Sequence, residues 1–180
     1  HSHGSVIRHP FNLLPFRDLE PGDVCYTPMP LFWVGGLTYT LLSCMHAGAT
    51  VVFEQQFEPG ATLDLIERER VTHVIGWPHM AKALTEHPSF AGRDLQSIRR
   101  GNLYPIMAPD TRPADPELRH NMLGMTEAGS VLLLSGDDTD QPEARRGSYG
   151  ALAPGFEARI IDLRTGGDVE AGTVGELLIR

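Results

Sequence analysis

Lysine is almost absent from this chain: Lys82 is the only one, and apart from histidine every other basic side chain is arginine. Much phosphate chemistry rests on a placed lysine, so any such role needs other groups. Cysteine is nearly as scarce. Cys25 and Cys44 lie in apolar surroundings without metal-ligand spacing, which excludes a disulfide scaffold and a zinc module and predicts buried free thiols. Positive charge is short overall. Fifteen Lys and Arg stand against 23 Asp and Glu, a net charge of -8, and such a surface repels nucleic-acid backbones and anionic lipid. No apolar run approaches the roughly 20 residues of a transmembrane helix. The opening "HSHGSVIRHP" has no signal-peptide core, so the expected location is cytoplasmic. What remains is ordinary: 41% hydrophobic and 21% charged residues predict a globular chain of 180 residues with a real core.

The order of elements predicts an α/β fold. "DVCYT" reads as a buried strand, and "GGLTYTLLSCMHAG" as an apolar helix that stops at Gly48. "TVVFE" is a β-branched strand, "ATLDLIERER" an amphipathic helix, "THVIG" a strand, and "PHMAKALTEH" a helix opened by Pro78. A last strand falls within "LQSIRRGNLY". Strands alternating with helices imply a partial parallel sheet with flanking helices and right-handed crossovers. The proline-rich stretch 104–120 is read as an irregular loop. Residues 1–136 form the α/β portion, 137–147 an acidic linker, and 148–180 an antiparallel β-element with strands in "FEARIID" and "GTVGELLIR".

Residues 121–130, "NMLGMTEAGS", gather polar groups on flexible backbone just before an apolar strand. "TPMPLFWVGGL" precedes it in the chain and "GTVGELLIR" follows it. Together these segments resemble the adenylate-forming superfamily of acyl- and aryl-CoA synthetases, luciferases and peptide-synthetase adenylation domains. Their counterparts there are Pro-Leu-Phe-His-x-x-Gly, Tyr-Gly-x-Thr-Glu and Gly-Glu-Leu-x-Ile-Arg. The resemblance implies that Glu127 coordinates Mg2+, Thr126 bonds the α-phosphate of ATP, and Gly124 admits the nucleotide closely. Met122, Leu123 and Met125 complete that loop, with Leu123 in place of an adenine-stacking tyrosine. Met107, Ala108 and Pro109 are the expected adenine side. The implied reaction makes an acyl-adenylate and passes the acyl group to coenzyme A. No Gly-rich Ser/Thr phosphate loop ending in Pro-Lys-Gly and no catalytic-lysine domain occur in these residues, so the chain is expected to be the middle of a larger enzyme and inactive alone.

The acid side is expected at Phe32, Trp33, Val34, Gly35 and Gly36, where Trp33 stands for the family histidine. No carboxylate lies there to pair a substrate ammonium, which favours a fatty or other apolar acid over an amino acid. Trp77, at a strand end, also suits this pocket. Core packing is the competing reading for Phe32, Trp33 and Trp77. Lys82 reads as a solvated helix-face residue, His1 and His3 as a frayed terminus, and none of the eight histidines has zinc-motif spacing. The competing function is a non-catalytic nucleotide- or acyl-binding module on the same scaffold.

Overall fold

The computed structural model describes residues 1–180. Four short parallel strands form its first sheet: β1 (Val24–Tyr26), β2 (Thr50–Val52), β3 (His73–Val74) and β4 (Arg100–Gly101), in the order β2-β1-β3-β4. Successive strand side chains point to opposite faces, and this splits the core in two. Val74 enters a cluster with Tyr26, Leu63, Ile66 and Leu84, under α3 (Pro59–Arg68) and α4 (Pro78–Glu86). Its neighbour Ile75 joins Leu13, Tyr39, Val131 and Leu134 on the other side. Helix α4 opens at Pro78 as the sequence suggests, and α3 begins two residues before the expected Ala61. Pro59 and Pro78 occupy first turns, and the Glu58 carboxylate accepts from the N–H groups of Gly60 and Ala61.

The second face is covered by α1 (His3–Arg17) and by a π-helix, Gly35–Leu42, that runs into α2 (Ser43–Ala47) and closes at Gly48. Helix α1 is not predicted by the sequence pattern, and it carries Pro10 and Pro15 in its interior. Tertiary bonds hold it: His46 Nε2 lies 2.9 Å from the Ile7 carbonyl, and Asn12 donates to the Pro154 carbonyl at 3.2 Å. Buried Arg17 donates to the Tyr39 carbonyl, its guanidinium 4.0 Å from the centre of the Tyr39 ring. The terminus is therefore not frayed, which corrects the expectation for His1 and His3. His3 starts the helix, and His1 Nε2 lies 2.6 Å from the Thr126 carbonyl.

Antiparallel pairing begins at Leu123, well before Ser148. Strands β5 (Leu123–Met125), β6 (Ser130–Leu134) and β7 (Ala151–Leu152) form a three-stranded sheet. The segment from Ser148 thus first adds a strand to that sheet, and then forms the hairpin β8 (Ala158–Ile161) and β9 (Glu176–Ile179). Residues 104–120 hold two 3-10 turns, Tyr104–Ile106 and Pro116–Leu118, and no strand. Cys25 and Cys44 are free and buried, as expected. Lys82 is exposed and reaches Glu86 at 3.7 Å on its own helix. No helix is long and apolar enough to cross a membrane.

At the N-terminal edge of the parallel sheet the polar groups bond one another. Asp23, 4% exposed, accepts from Arg99 at 2.8 Å and from the Thr72 hydroxyl at 3.0 Å. Burial pushes its carboxyl up, but the Glu20 N–H, Arg99 and Thr72 outweigh burial and hold it below its ordinary value. His73 beside it is buried and pushed down to about 4, chiefly by desolvation.

Candidate active site

The opposite, C-terminal edge, where ligands of open α/β sheets gather, carries the aromatic residues the sequence singles out. The chain leaving β1 turns at Pro30, whose carbonyl accepts from the Trp33 N–H at 3.0 Å, and enters the π-helix at Gly35. A side chain at Gly36 would strike the Pro30 carbonyl oxygen at 2.2 Å, so this return is closed to any other residue. The tight turn lifts Phe32 and Trp33 off the body, to 85% and 51% exposure. Trp77 leaves β3 on the same edge and is also exposed. Its ring meets Trp33 edge-to-face at 6.2 Å, Phe32 meets Trp33 in the same manner at 6.3 Å, and His79 stacks on Trp77. Within residues 1–180, Phe32, Trp33 and Trp77 are exposed and belong to neither core cluster. Two segments some 40 residues apart in sequence build one open aromatic wall.

The second component lies between β5 and β6. Thr126–Ala128 forms a single 3-10 turn that ends at Gly129, whose N–H donates to the Thr126 carbonyl at 2.9 Å. This turn leaves both Thr126 and Glu127 exposed, their side chains unpaired within the protein. Ala128, Gly129 and Ser130 behind them are buried, so the two polar groups stand on a packed base. Gly124 sits at an irregularity in the β5–β6 register, Leu123 and Met125 are half-buried, and Met122 packs against the second core cluster.

Thr38 links these components. From the π-helix its hydroxyl lies 2.6 Å from the Gly129 carbonyl and 2.6 Å from the Val34 carbonyl, at 2% exposure. The aromatic turn and the Thr126–Glu127 turn are thus tied to one buried side chain. Sequence reasoning missed Thr38, because the wide turns of a π-helix carry no period that the apolar pattern reveals. On the expected adenine side, Met107 is buried in the first core cluster, Ala108 is half-buried with its carbonyl taken by Thr111 and Arg112, and Pro109 is exposed.

No three His, Cys, Asp or Glu side chains converge on a cation-sized site. Glu127 offers a single free carboxylate. That suits an ion delivered with a polyphosphate, since Mg2+ keeps its waters and takes one or two protein carboxylates.

A family model described as AMP-binding enzyme matches residues 1–180. The chain is 33% identical over 171 residues to 4-coumarate–CoA ligase 3 of Arabidopsis thaliana, covering 90% of this chain and 30% of that protein. It is 31% identical over 183 residues to indoleacetate–CoA ligase of Aromatoleum aromaticum, covering 99% of this chain and 35% of that one. Among solved structures it superimposes on the anthranilate CoA ligase AuaEII in complex with anthranoyl-AMP, with a TM-score of 0.80 at 22% identity, over 100% of this chain and 36% of that one. The chain spans about a third of the length of the curated relatives it matches.

Proposed function

The chain belongs to the AMP-binding enzymes, and from that premise we propose that it supplies the acid-facing wall and the α-phosphate turn of an ATP-dependent acid–CoA ligase for a planar aromatic acid. The observation that carries this reading is the joining of Trp33 and Trp77 into one open aromatic wall, tied through Thr38 to the turn that presents Thr126 and Glu127. Fatty acids satisfy the lack of a carboxylate at residues 32–36 equally well. Edge-to-face rings at 6.2 Å favour a flat ring as the next member of the stack, and the relatives named above carry 4-coumarate and indoleacetate in their names.

In the first step a carboxylate oxygen of the acid forms a bond to the α-phosphorus of ATP while the bond to pyrophosphate breaks. The Thr126 hydroxyl donates to an α-phosphate oxygen as charge builds there. Glu127 would hold the magnesium ion that neutralises the phosphates when bound. The aromatic wall fixes the ring so that its carboxylate meets the phosphorus, which lowers the entropic part of the barrier. In the second step the thiolate of coenzyme A displaces AMP from the acyl carbon. Location in the cytoplasm and a small-molecule acid as partner belong to the same reading, with the β8–β9 hairpin, rather than all of residues 148–180, as the unit set apart from residues 1–136.

The test is pyrophosphate release by the full-length protein with 4-coumarate, indole-3-acetate, a medium-chain fatty acid and phenylalanine. Aromatic acids without an ammonium are expected to lead by about tenfold or more. A lead for the fatty acid would overturn the aromatic assignment. No release with any acid would leave the chain a binding module. Residues 1–180 alone are expected to release none, since they hold no Gly-rich phosphate loop and one lysine, far from the motif.

A further inference from the structure

Gly76 is the last residue before Trp77, and it is buried. Strand β3 ends at Val74, so the N–H and carbonyl of Gly76 have no strand beside them to complete the ladder. Both are nonetheless satisfied, by one side chain. Asn102 accepts from the Gly76 N–H through Oδ1 at 2.9 Å and donates to the Gly76 carbonyl through Nδ2 at 2.9 Å. An amide is well suited to this because it carries a donor and an acceptor in one plane, matched to the backbone pair. Asn102 is itself pinned. Its own N–H donates to the Val74 carbonyl at 3.1 Å, and at the preceding Gly101, with φ +134°, a side chain would strike that same carbonyl oxygen at 1.9 Å.

We propose that Asn102 is a positioning residue that sets acid affinity by fixing the peptide on which Trp77 stands. This rests on the reading of the aromatic wall as the acid site. A glycine has more backbone freedom than any other residue, and it is placed immediately before the ring that completes the wall. No hydrogen bond within the protein holds the Trp77 side chain, so its orientation is set by its backbone and by the rings of Trp33 and His79. Closing both polar groups of Gly76 on one rigid amide removes the freedom that would let Trp77 swing away from Trp33. Asn102 therefore acts without touching the acid.

The chain contains two tryptophans, Trp33 and Trp77, and they form this contact, so one spectroscopic signal reports it. The experiment uses the full-length protein, with any tryptophan outside residues 1–180 replaced by phenylalanine. The signals are the exciton couplet of the Trp33–Trp77 pair in circular dichroism and the quenching of tryptophan emission by 4-coumarate. Asn102→Asp keeps the shape and sets an oxygen against the Gly76 carbonyl. Asn102→Ala removes both bonds without adding charge, and serves where the first variant does not fold. Either is expected to abolish the couplet and to raise the KM for 4-coumarate about tenfold, with kcat and the KM for ATP nearly unchanged. A folded variant that keeps both the couplet and the wild-type acid KM overturns the proposal, as does a loss confined to kcat. Trp77→Phe, the control, separates the two claims. A lost couplet in the Asn102 variants, with 4-coumarate affinity unmoved both there and in Trp77→Phe, overturns the acid-site reading and with it the role of Asn102 in affinity.

Discussion

The two edges of the parallel sheet are built from the same strands and use polar groups in opposite ways. At the N-terminal edge Asp23, Thr72, His73, Arg99 and Arg100 lie where β1, β3 and β4 begin. Asp23 bonds Arg99 and Thr72, and Arg99 and Arg100 share Asp18 at 3.0 and 3.1 Å. The charges there are spent on one another. Across the C-terminal edge and the turn tied to it, Thr126 and Glu127 face outward without partners, and three aromatic rings project where apolar area would ordinarily be buried. A cluster in which only the buried His73 Nε2 lacks a partner stabilises the fold and offers little to a ligand, whereas an unsaturated one on a packed base costs stability and is available for chemistry.

The contrast is tested most severely at Glu127. Glu127→Gln should lower the rate of pyrophosphate release about 100-fold or more, with emission quenching by the acid unchanged. A loss of only a few-fold would remove Glu127 from the machinery. Asp23→Ala is the mirror experiment. It leaves Arg99 and Thr72 without their shared partner and should cost about 3 kcal/mol in urea unfolding. Acid affinity of the folded fraction should stay as in the wild type, and a change there would mean the edges are not separate in function.

Trp33→Ala should raise the KM for an aromatic acid by about tenfold. Because Trp33 is 51% exposed, its urea midpoint should barely move. The smallest effect concerns pH. The folded pKa of His73, about 4, lies below its ordinary 6.5, so the unfolded chain takes up this proton first. Stability tied to neutral His73 is complete above 6.5 and declines as the pH falls toward 4. His73→Gln should flatten the stability profile in that window. Asp23, with its pKa depressed, adds a separate loss only at lower pH.

The sheet and its helices were legible because each rule involved is local. Pro78 starts a helix, Gly48 ends one, and the strands at 50–52 and 73–74 each pair in parallel with β1 as their alternation with helices requires. The Thr126–Glu127 turn was legible as a motif. What escaped depends on partners distant in sequence. Two prolines argue against α1 until His46 and Ser43 are known to meet its carbonyls. Exposure of Phe32 and Trp33 follows from the close return at Gly36, which no periodicity encodes. The clamp of Asn102 on Gly76 spans 26 residues, and in the sequence it is an asparagine beside a glycine, indistinguishable from a turn.

Thr38 carries the remaining consequence. Two carbonyl oxygens, of Val34 and Gly129, stand equally close to its hydroxyl, and a hydroxyl owns one proton. At any moment the proton serves one of them, and the other accepts nothing from Thr38. The arrangement is an exclusive choice between tightening the helix behind the aromatic rings and holding the turn that carries Glu127.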